Sequence, residues 1–329
     1  MEYVKFGNTG MDVSRICLGM MSFGKPGKEN GVFPWAKDYE DGKAIFKRAI
    51  ELGINYFDTA NVYQMGTSEE ITGRYIRDFG LDRDEIVVAT KVNFEMRPGR
   101  PNGGLSRKNI MAEIDHSLER LGLDYVDVYQ IYRLDPYTPM EEIMEALHDV
   151  VKSGKARYIG ASTIFAWQLE RMQQIAERHG WTKFTSLQPQ YNLIYREEER
   201  EILPLCQDRK MAVVPWSPLA GGRCAHPWGT VTERNRVDDV SPMVWGATDA
   251  QDKVVVDNLE KVAREHGRTM AQEALAWMLS KPYITAPIVG TTSARHIEEA
   301  VSALDIQLDE EEIKALEAPY VPHIKTGLY

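Results

Sequence analysis

Three side chains in the first third of the chain could share one piece of chemistry. Asp58 closes the run INYFD, Tyr63 follows in the next loop, and Lys91 closes EIVVATK. At the ends of neighbouring strands, an Asp, a Tyr and a Lys can form one hydrogen-bonded group. A buried ammonium favours the phenolate and so lowers the pKa of an adjacent phenol, while a carboxylate keeps that ammonium charged and aimed. The result is an acid that can give a proton to a carbonyl oxygen. The same residues also suit a buried Lys–Asp pair beside a packed tyrosine, and spacing does not choose between the two.

Placing such a group requires strands. Short β-branched or aromatic runs occur at 15–18, 55–58, 85–91, 125–132, 156–160, 185–188, 212–216 and 285–289. Helical patterns separate them. Residues 105–121 put Ile110, Ile114, Leu118 and Leu121 on one stripe, with Ser106 as N-cap and Gly122 past the end. Thr138, Pro139, Met140 and Glu141 read as a capping box with proline at the first helical position. The helix they open carries Ile143, Leu147 and Val150 and stops at Gly154. Thr269 and Gln272 open another, running to Ser280, and Asp309 with Glu312 caps a last one that ends before Pro319.

Strand–helix alternation, with a hairpin allowed only at the start, predicts a parallel sheet. Eight units favour a closed (β/α)8 TIM barrel over a doubly wound sheet. The 329 residues would allow two domains, but the alternation predicts one, spanning 1–329. Two long stretches, 93–104 and 217–250, follow predicted strands. Loops in that position line the active-site face of a barrel, and long ones often act as lids.

Composition narrows the function. Apolar residues make up 43% and charged residues 27%, the balance of a soluble globular chain. A net charge of −10 argues against nucleic acid or a membrane surface as partner, while leaving room for a local basic pocket. No apolar run approaches the roughly 20 residues of a membrane span, and the N-terminus does not read as a secretory leader. Cys17, Cys206 and Cys224 form no CxxC pair and read as reduced thiols of a cytoplasmic protein. No HExxH occurs and no histidines are paired for a metal, so no metal site is expected. His116, His148, His179 and His266 fall in helical patterns, and His226 reads as a solvated loop residue. The first strand is not followed by GxGxxG, so no Rossmann site is expected.

The segments LGMMSFG, FDTANVYQMGTSEEITG, VVATKV, GKARYIGAS, SLQPQYNLIYREEER, VVPWSPLAGGR and APIVGTTSARHIEE, in that order, resemble the aldo-keto reductase family. The resemblance runs from about Gly7 to Pro322. It lies closest to the bacterial and fungal branch near the aryl-alcohol dehydrogenases. It implies a (β/α)8 barrel that binds NADPH, NADP(H) being the cofactor pair, across the C-terminal face of the strands. Asp58, Tyr63 and Lys91 match three of the family's four catalytic residues. Tyr63 would be the general acid, Lys91 would lower its pKa, and Asp58 would hold Lys91. Hydride would pass from the nicotinamide to the carbonyl carbon of a small-molecule substrate.

The fourth catalytic position departs. The family's strand ends in Gln-Ile-His, whereas this chain reads VYQIYRLDPYTP, with Tyr132 in the histidine's place. A phenol can donate a hydrogen bond, but it is longer and does not titrate near neutral pH. Several readings stay open. Tyr132 could be a natural variant with altered substrate choice or an engineered change. It could mark a regulatory, redox-sensing NADPH-binding protein with weak reductase activity, or a biosynthetic reductase acting on another group.

The resemblance also implies cofactor contacts. Gly19 and Met20, after the first strand, and Asp58 would border the cofactor. Ser162 and Gln188 would bind the carboxamide, Trp216 would stack on the nicotinamide, and Ser217, Leu219 and Gly222 would meet the pyrophosphate. Gly290, Thr291, Thr292 and Ser293 precede a helix start suited to a phosphate. Arg295 and His296 would reach the 2′-phosphate and favour NADP over NAD. Glu299 would serve the adenine end, where Ala300 replaces the family's asparagine. Met20, Met21, Phe23, Trp35, Phe94, Tyr132 and Trp228 suggest an apolar pocket for aryl or alkyl carbonyls. The sequence leaves monomer and homo-oligomer both open.

Overall fold

The structure is a computed structural model describing residues 1–99, 101–232, 234–238, 240 and 244–322. It opens with an antiparallel hairpin of β1 (Tyr3–Lys5) and β2 (Asp12–Ser14). Eight parallel strands follow: β3 (Cys17–Gly19), β4 (Tyr56–Asp58), β5 (Val87–Val92), β6 (Val126–Ile131), β7 (Ala156–Ser162), β8 (Phe184–Gln188), β9 (Ala212–Val213) and β10 (Ile288–Gly290). Strands β3 to β9 lie side by side in chain order, with β10 on the far side of β3. Between β9 and β10 no ladder forms. Instead the amides of Thr285 and Ile288 donate to the carbonyls of Val213 and Pro215, each at 2.9 Å, and bring the sheet round into the predicted barrel.

The helices are α1 (Tyr39–Glu51), α2 (Thr67–Asp78), α3 (Arg107–Leu121), α4 (Met140–Lys152), α5 (Ala166–His179), α6 (Ile202–Asp208), α7 (Asp249–Glu265), α8 (Met270–Leu279), α9 (Ala294–Ser302) and α10 (Glu310–Glu317). Ser106 caps α3 by accepting from the amide of Asn109, and the capping boxes of α8 and α10 form as expected. The box of α4 does not form. The Thr138 hydroxyl donates to Asp135 at 2.6 Å instead, and Pro139 takes the cap position itself. No helix among the described residues is long and apolar enough to cross a membrane.

Side chains alternate along each strand, so every second one enters the barrel. Low in the interior these are apolar. Tyr56, Val87, Val128 and Ala212 form a cluster there with Phe6, carried in by the hairpin, whose ring meets Tyr56 edge-on at 5.9 Å. The hairpin therefore plugs the N-terminal end. Farther up the same strands the inward residues turn polar: Asp58 two residues after Tyr56, Lys91 four after Val87, Gln130 two after Val128. The outward residues pack under the helices. Phe57 of β4 stacks on Phe46 of α1, and Phe46 on Tyr75 of α2.

Candidate active site

The polar residues at the C-terminal end of the barrel form one buried network. Lys91 Nζ donates to Asp58 Oδ2 at 2.5 Å and to the carbonyl of Thr59 at 2.8 Å. The other oxygen of Asp58 accepts from Gln130 at 3.0 Å and from Gln188 at 2.9 Å. Four strands thus converge on one carboxylate. Lys91 is completely buried, so the pair persists only because every donor and acceptor is met. Behind β5, Thr90 and Arg120 hold the two oxygens of buried Glu69 at 2.5 and 2.6 Å and brace α2 against the strand.

Tyr63 reaches the network from the link between β4 and α2. The amide of Asn61 donates to the Lys91 carbonyl, and the Tyr63 amide to that of Ala60. The Tyr63 phenol then lies 3.3 Å from Lys91 Nζ. Tyr132 follows β6, with its amide on the Val92 carbonyl. Its phenol makes a long contact of 3.5 Å with that of Tyr63, and the two rings meet edge to face. The structure thus brings Asp58, Tyr63, Lys91 and Tyr132 together.

The electrostatics differ from the sequence expectation. Burial, then the charge of Asp58, raises the Tyr63 phenol above its ordinary value, and the hydrogen bond from Tyr132 and the nearby Arg133 only partly oppose them. Desolvation of the buried phenolate is the largest of these effects, and the Asp58 carboxylate adds to it. Burial likewise raises Tyr132. Both phenols hold their protons at neutral pH.

Tyr63 and Tyr132 open onto a large cavity. Among residues expected at the cofactor, Gly19, Asp58, Ser162, Gln188, Trp216, Ser217, Leu219 and Gly222 line it. So do Gly290, Thr291 and Thr292 from the end of β10 and the loop after it, His296 and Glu299 from α9, and Met21 from the expected substrate set. The others stand outside its wall. Met20 is buried, and its carbonyl accepts from Ser68. Ser293 turns its amide to the Thr291 hydroxyl, and Arg295 is exposed. Trp35 lies behind Phe33, and Phe94 backs Tyr132 edge-on at 5.0 Å. Trp228 packs under Arg223 at 5.1 Å. Phe23 is buried against Tyr75.

Several wall residues escaped the sequence reading. Phe33 lies in a loop without periodicity. Arg133 extends over the rings of Tyr132 and Trp216, at 5.2 and 6.0 Å. His226, expected in solvent, is half-buried in the wall, as is Arg234 from the loop after β9, and Asp238 of the same loop is buried there. Only the motif position of Arg133, directly after Tyr132, could have pointed to it.

Residues 15–320 match the Aldo/keto reductase family. The chain belongs to that family. It is 43% identical to a versiconal hemiacetal acetate reductase of Aspergillus parasiticus, over 98% of each chain. It is 40% identical to a Schizosaccharomyces pombe protein classed with the aryl-alcohol dehydrogenases, over 97% of this chain and 96% of the relative. An aldo-keto reductase of Fusarium vanettenii is 37% identical, over 98% of this chain and 91% of its own. This aldo/keto reductase is therefore an oxidoreductase.

Aldo/keto reductases use a nicotinamide dinucleotide, and the cavity fits one. Gly19 and Gly290 are paired across β3 and β10 and leave part of the floor bare. A Cβ on Gly19 would stand 2.8 Å from an Ile288 methyl. Trp216 supplies a flat wall, fixed by its ring N–H on the Thr163 hydroxyl at 3.0 Å. The start of α9 has no side-chain cap, and the loop before it lies on the wall, which leaves helix-start amides for a phosphate.

Proposed function

We propose that this aldo/keto reductase uses NADPH to reduce an aromatic or apolar aldehyde or ketone to the alcohol, with Tyr63 as proton donor and Tyr132 replacing the customary histidine. One observation carries the reading: the protonated Tyr63 phenol lies 3.3 Å from Lys91, at a cavity whose wall includes Tyr132 and Trp216. When bound, reduced nicotinamide supplies the hydride that goes to the carbonyl carbon. Tyr63 gives its phenol proton to the carbonyl oxygen. Lys91 offsets the charge left on the phenolate, and Asp58, held by Gln130 and Gln188, keeps Lys91 in place. Tyr132 donates its hydroxyl toward the same point, and solvent reprotonates Tyr63 after release.

Gln188 spends its amide protons on Asp58 and Gln130, so its remaining capacity toward a carboxamide is its carbonyl oxygen. His296 on the wall favours NADPH over NADH through the 2′-phosphate. Met21, Phe33 and Tyr132 favour a flat apolar substrate, in keeping with the relative classed with the aryl-alcohol dehydrogenases. Three buried free thiols suit a reducing compartment, and we assign the protein to the cytoplasm.

The test is NADPH oxidation with a panel of aromatic and aliphatic carbonyl compounds, for the native protein and for Tyr63→Phe. Turnover is expected, with a loss of about 100-fold or more in the variant. Tight NADPH binding without oxidation above background would overturn the reading. An unchanged Tyr63→Phe rate would move the proton donor elsewhere.

A further inference from the structure

We propose that Gln64 is a positioning residue that couples proton delivery by Tyr63 to the fit of an aromatic substrate ring against Phe33, an inference resting on the reading of Tyr63 given above. Gln64 directly follows Tyr63 and is fully buried. Its φ is 46°, in the left-handed region that residues with side chains seldom adopt. Such a conformation persists where the surroundings over-determine it, and here they do. Gln64 Nε2 donates to the carbonyl of Lys25 at 2.6 Å, and Gln64 Oε1 accepts from the amide of Phe33 at 2.9 Å.

The segment 24–35 is thereby strapped across the site at two points. Its glycines make room for the strap pin. A Cβ on Gly24 would come within 2.7 Å of the Gln64 side chain, and one on Gly31 within 2.5 Å of Gln64 Oε1. At the end of the strap the Phe33 ring meets the Tyr63 ring edge-on at 6.0 Å and lines the cavity. Next to it, Trp35 lies under the Arg234 guanidinium at 3.9 Å, which joins the strap to the loop after β9.

One residue therefore fixes the proton donor through the backbone and its aromatic neighbour through the side chain. Loss of the pin releases Phe33, which guides an aromatic ring to the Tyr63 phenol, while Lys91 still holds the phenol itself. An aromatic substrate gains ring contacts with Phe33 that a short aliphatic aldehyde does not. Releasing the pin should therefore penalise aromatic substrates far more than small ones.

The test compares benzaldehyde and propanal with NADPH on the full-length protein. Gln64→Gly keeps the left-handed backbone without strain and removes both hydrogen bonds. Gln64→Asn also tolerates that backbone but cannot span both partners, and it carries the comparison if the glycine variant fails to fold. For either, kcat/KM on benzaldehyde is expected to fall about tenfold or more and that on propanal by less than about threefold. The NADPH Kd should stay unchanged. Gly31→Ala, which crowds Gln64 Oε1, should reproduce the pattern, and Phe33→Leu should raise the benzaldehyde KM with kcat retained. Equal losses on both aldehydes, or no loss, in a folded variant overturn the proposal. If the native protein reduces neither aldehyde, the carbonyl-reductase reading is decided by the wider panel and not by this comparison. The pin is then read by ligand-detected NMR in the presence of NADPH. Weaker benzaldehyde but unchanged propanal binding by Gln64→Gly supports it, and unaltered benzaldehyde binding overturns it.

Discussion

The phenol oxygens of Tyr132 and Tyr63 stand 3.5 Å apart at the head of the barrel, each above its ordinary pKa because of burial. Two protonated hydroxyls so placed can both face one carbonyl oxygen. Tyr132→His shortens one of them and adds a group that titrates near neutrality. If the tyrosine is a handicap for ordinary carbonyls, the variant should reduce benzaldehyde about tenfold or more faster, in line with the effect of one well-aimed donor. If the tyrosine is instead fitted to its substrate, the best aromatic substrate of the native protein should lose activity. Steady-state kinetics on both forms reads the sign.

The Asp58–Lys91 pair makes a stability prediction. Asp58→Asn leaves a fully buried ammonium without its counter-charge, as Lys91→Met leaves the carboxylate. Each should cost about 3–5 kcal/mol in denaturant unfolding. The double variant should cost clearly less than the sum, since neither charge remains to be stranded.

Alkaline pH should destabilise the fold. Tyr63 and Tyr132 are raised by burial, and so are Tyr56 and Tyr129. In the unfolded chain such phenols ionise near pH 10 (about). Above that the folded state binds more protons than the unfolded one, so stability falls as pH rises, and below it these groups add no slope. Thermal melts between about pH 8 and 11 should show a plateau and then a decline.

His296→Ala should weaken NADPH binding about tenfold and leave NADH nearly untouched, the size of one lost charge-assisted hydrogen bond. Arg295→Ala should alter neither by comparison, because Arg295 does not line the cavity. Fluorescence titration with both cofactors distinguishes the two residues.

The barrel was legible because its strands are short runs rich in valine, as in VVATKV and VDVYQI, with the polar Lys91 and Gln130 near their C-terminal ends. The last strand begins later than its apolar run suggested. Pro287 has no amide to give a ladder, and the amides of Thr285 and Ala286 turn sideways to Val213. The capping box at Thr138 was lost to a competing acceptor, Asp135, which the local sequence does not rank above the helix. The polar network could be anticipated residue by residue, but not the balance of its field on Tyr63. That is set first by how deeply the phenol is buried and then by the charge of Asp58. The strap was invisible for a different reason: Gln64, Lys25 and Phe33 meet across the fold, and nothing periodic marks them.

Asp58 on β4 and Gln188 on β8 belong to strands four places apart in a ring of eight, so their hydrogen bond spans the barrel mouth from side to side. That tie holds the rim to a constant width whatever happens above it. The strap and the segment after β9 are therefore interchangeable parts mounted on a fixed frame. Descendants of this chain, natural or designed, can remodel those parts for new substrates while keeping the polar network beneath them.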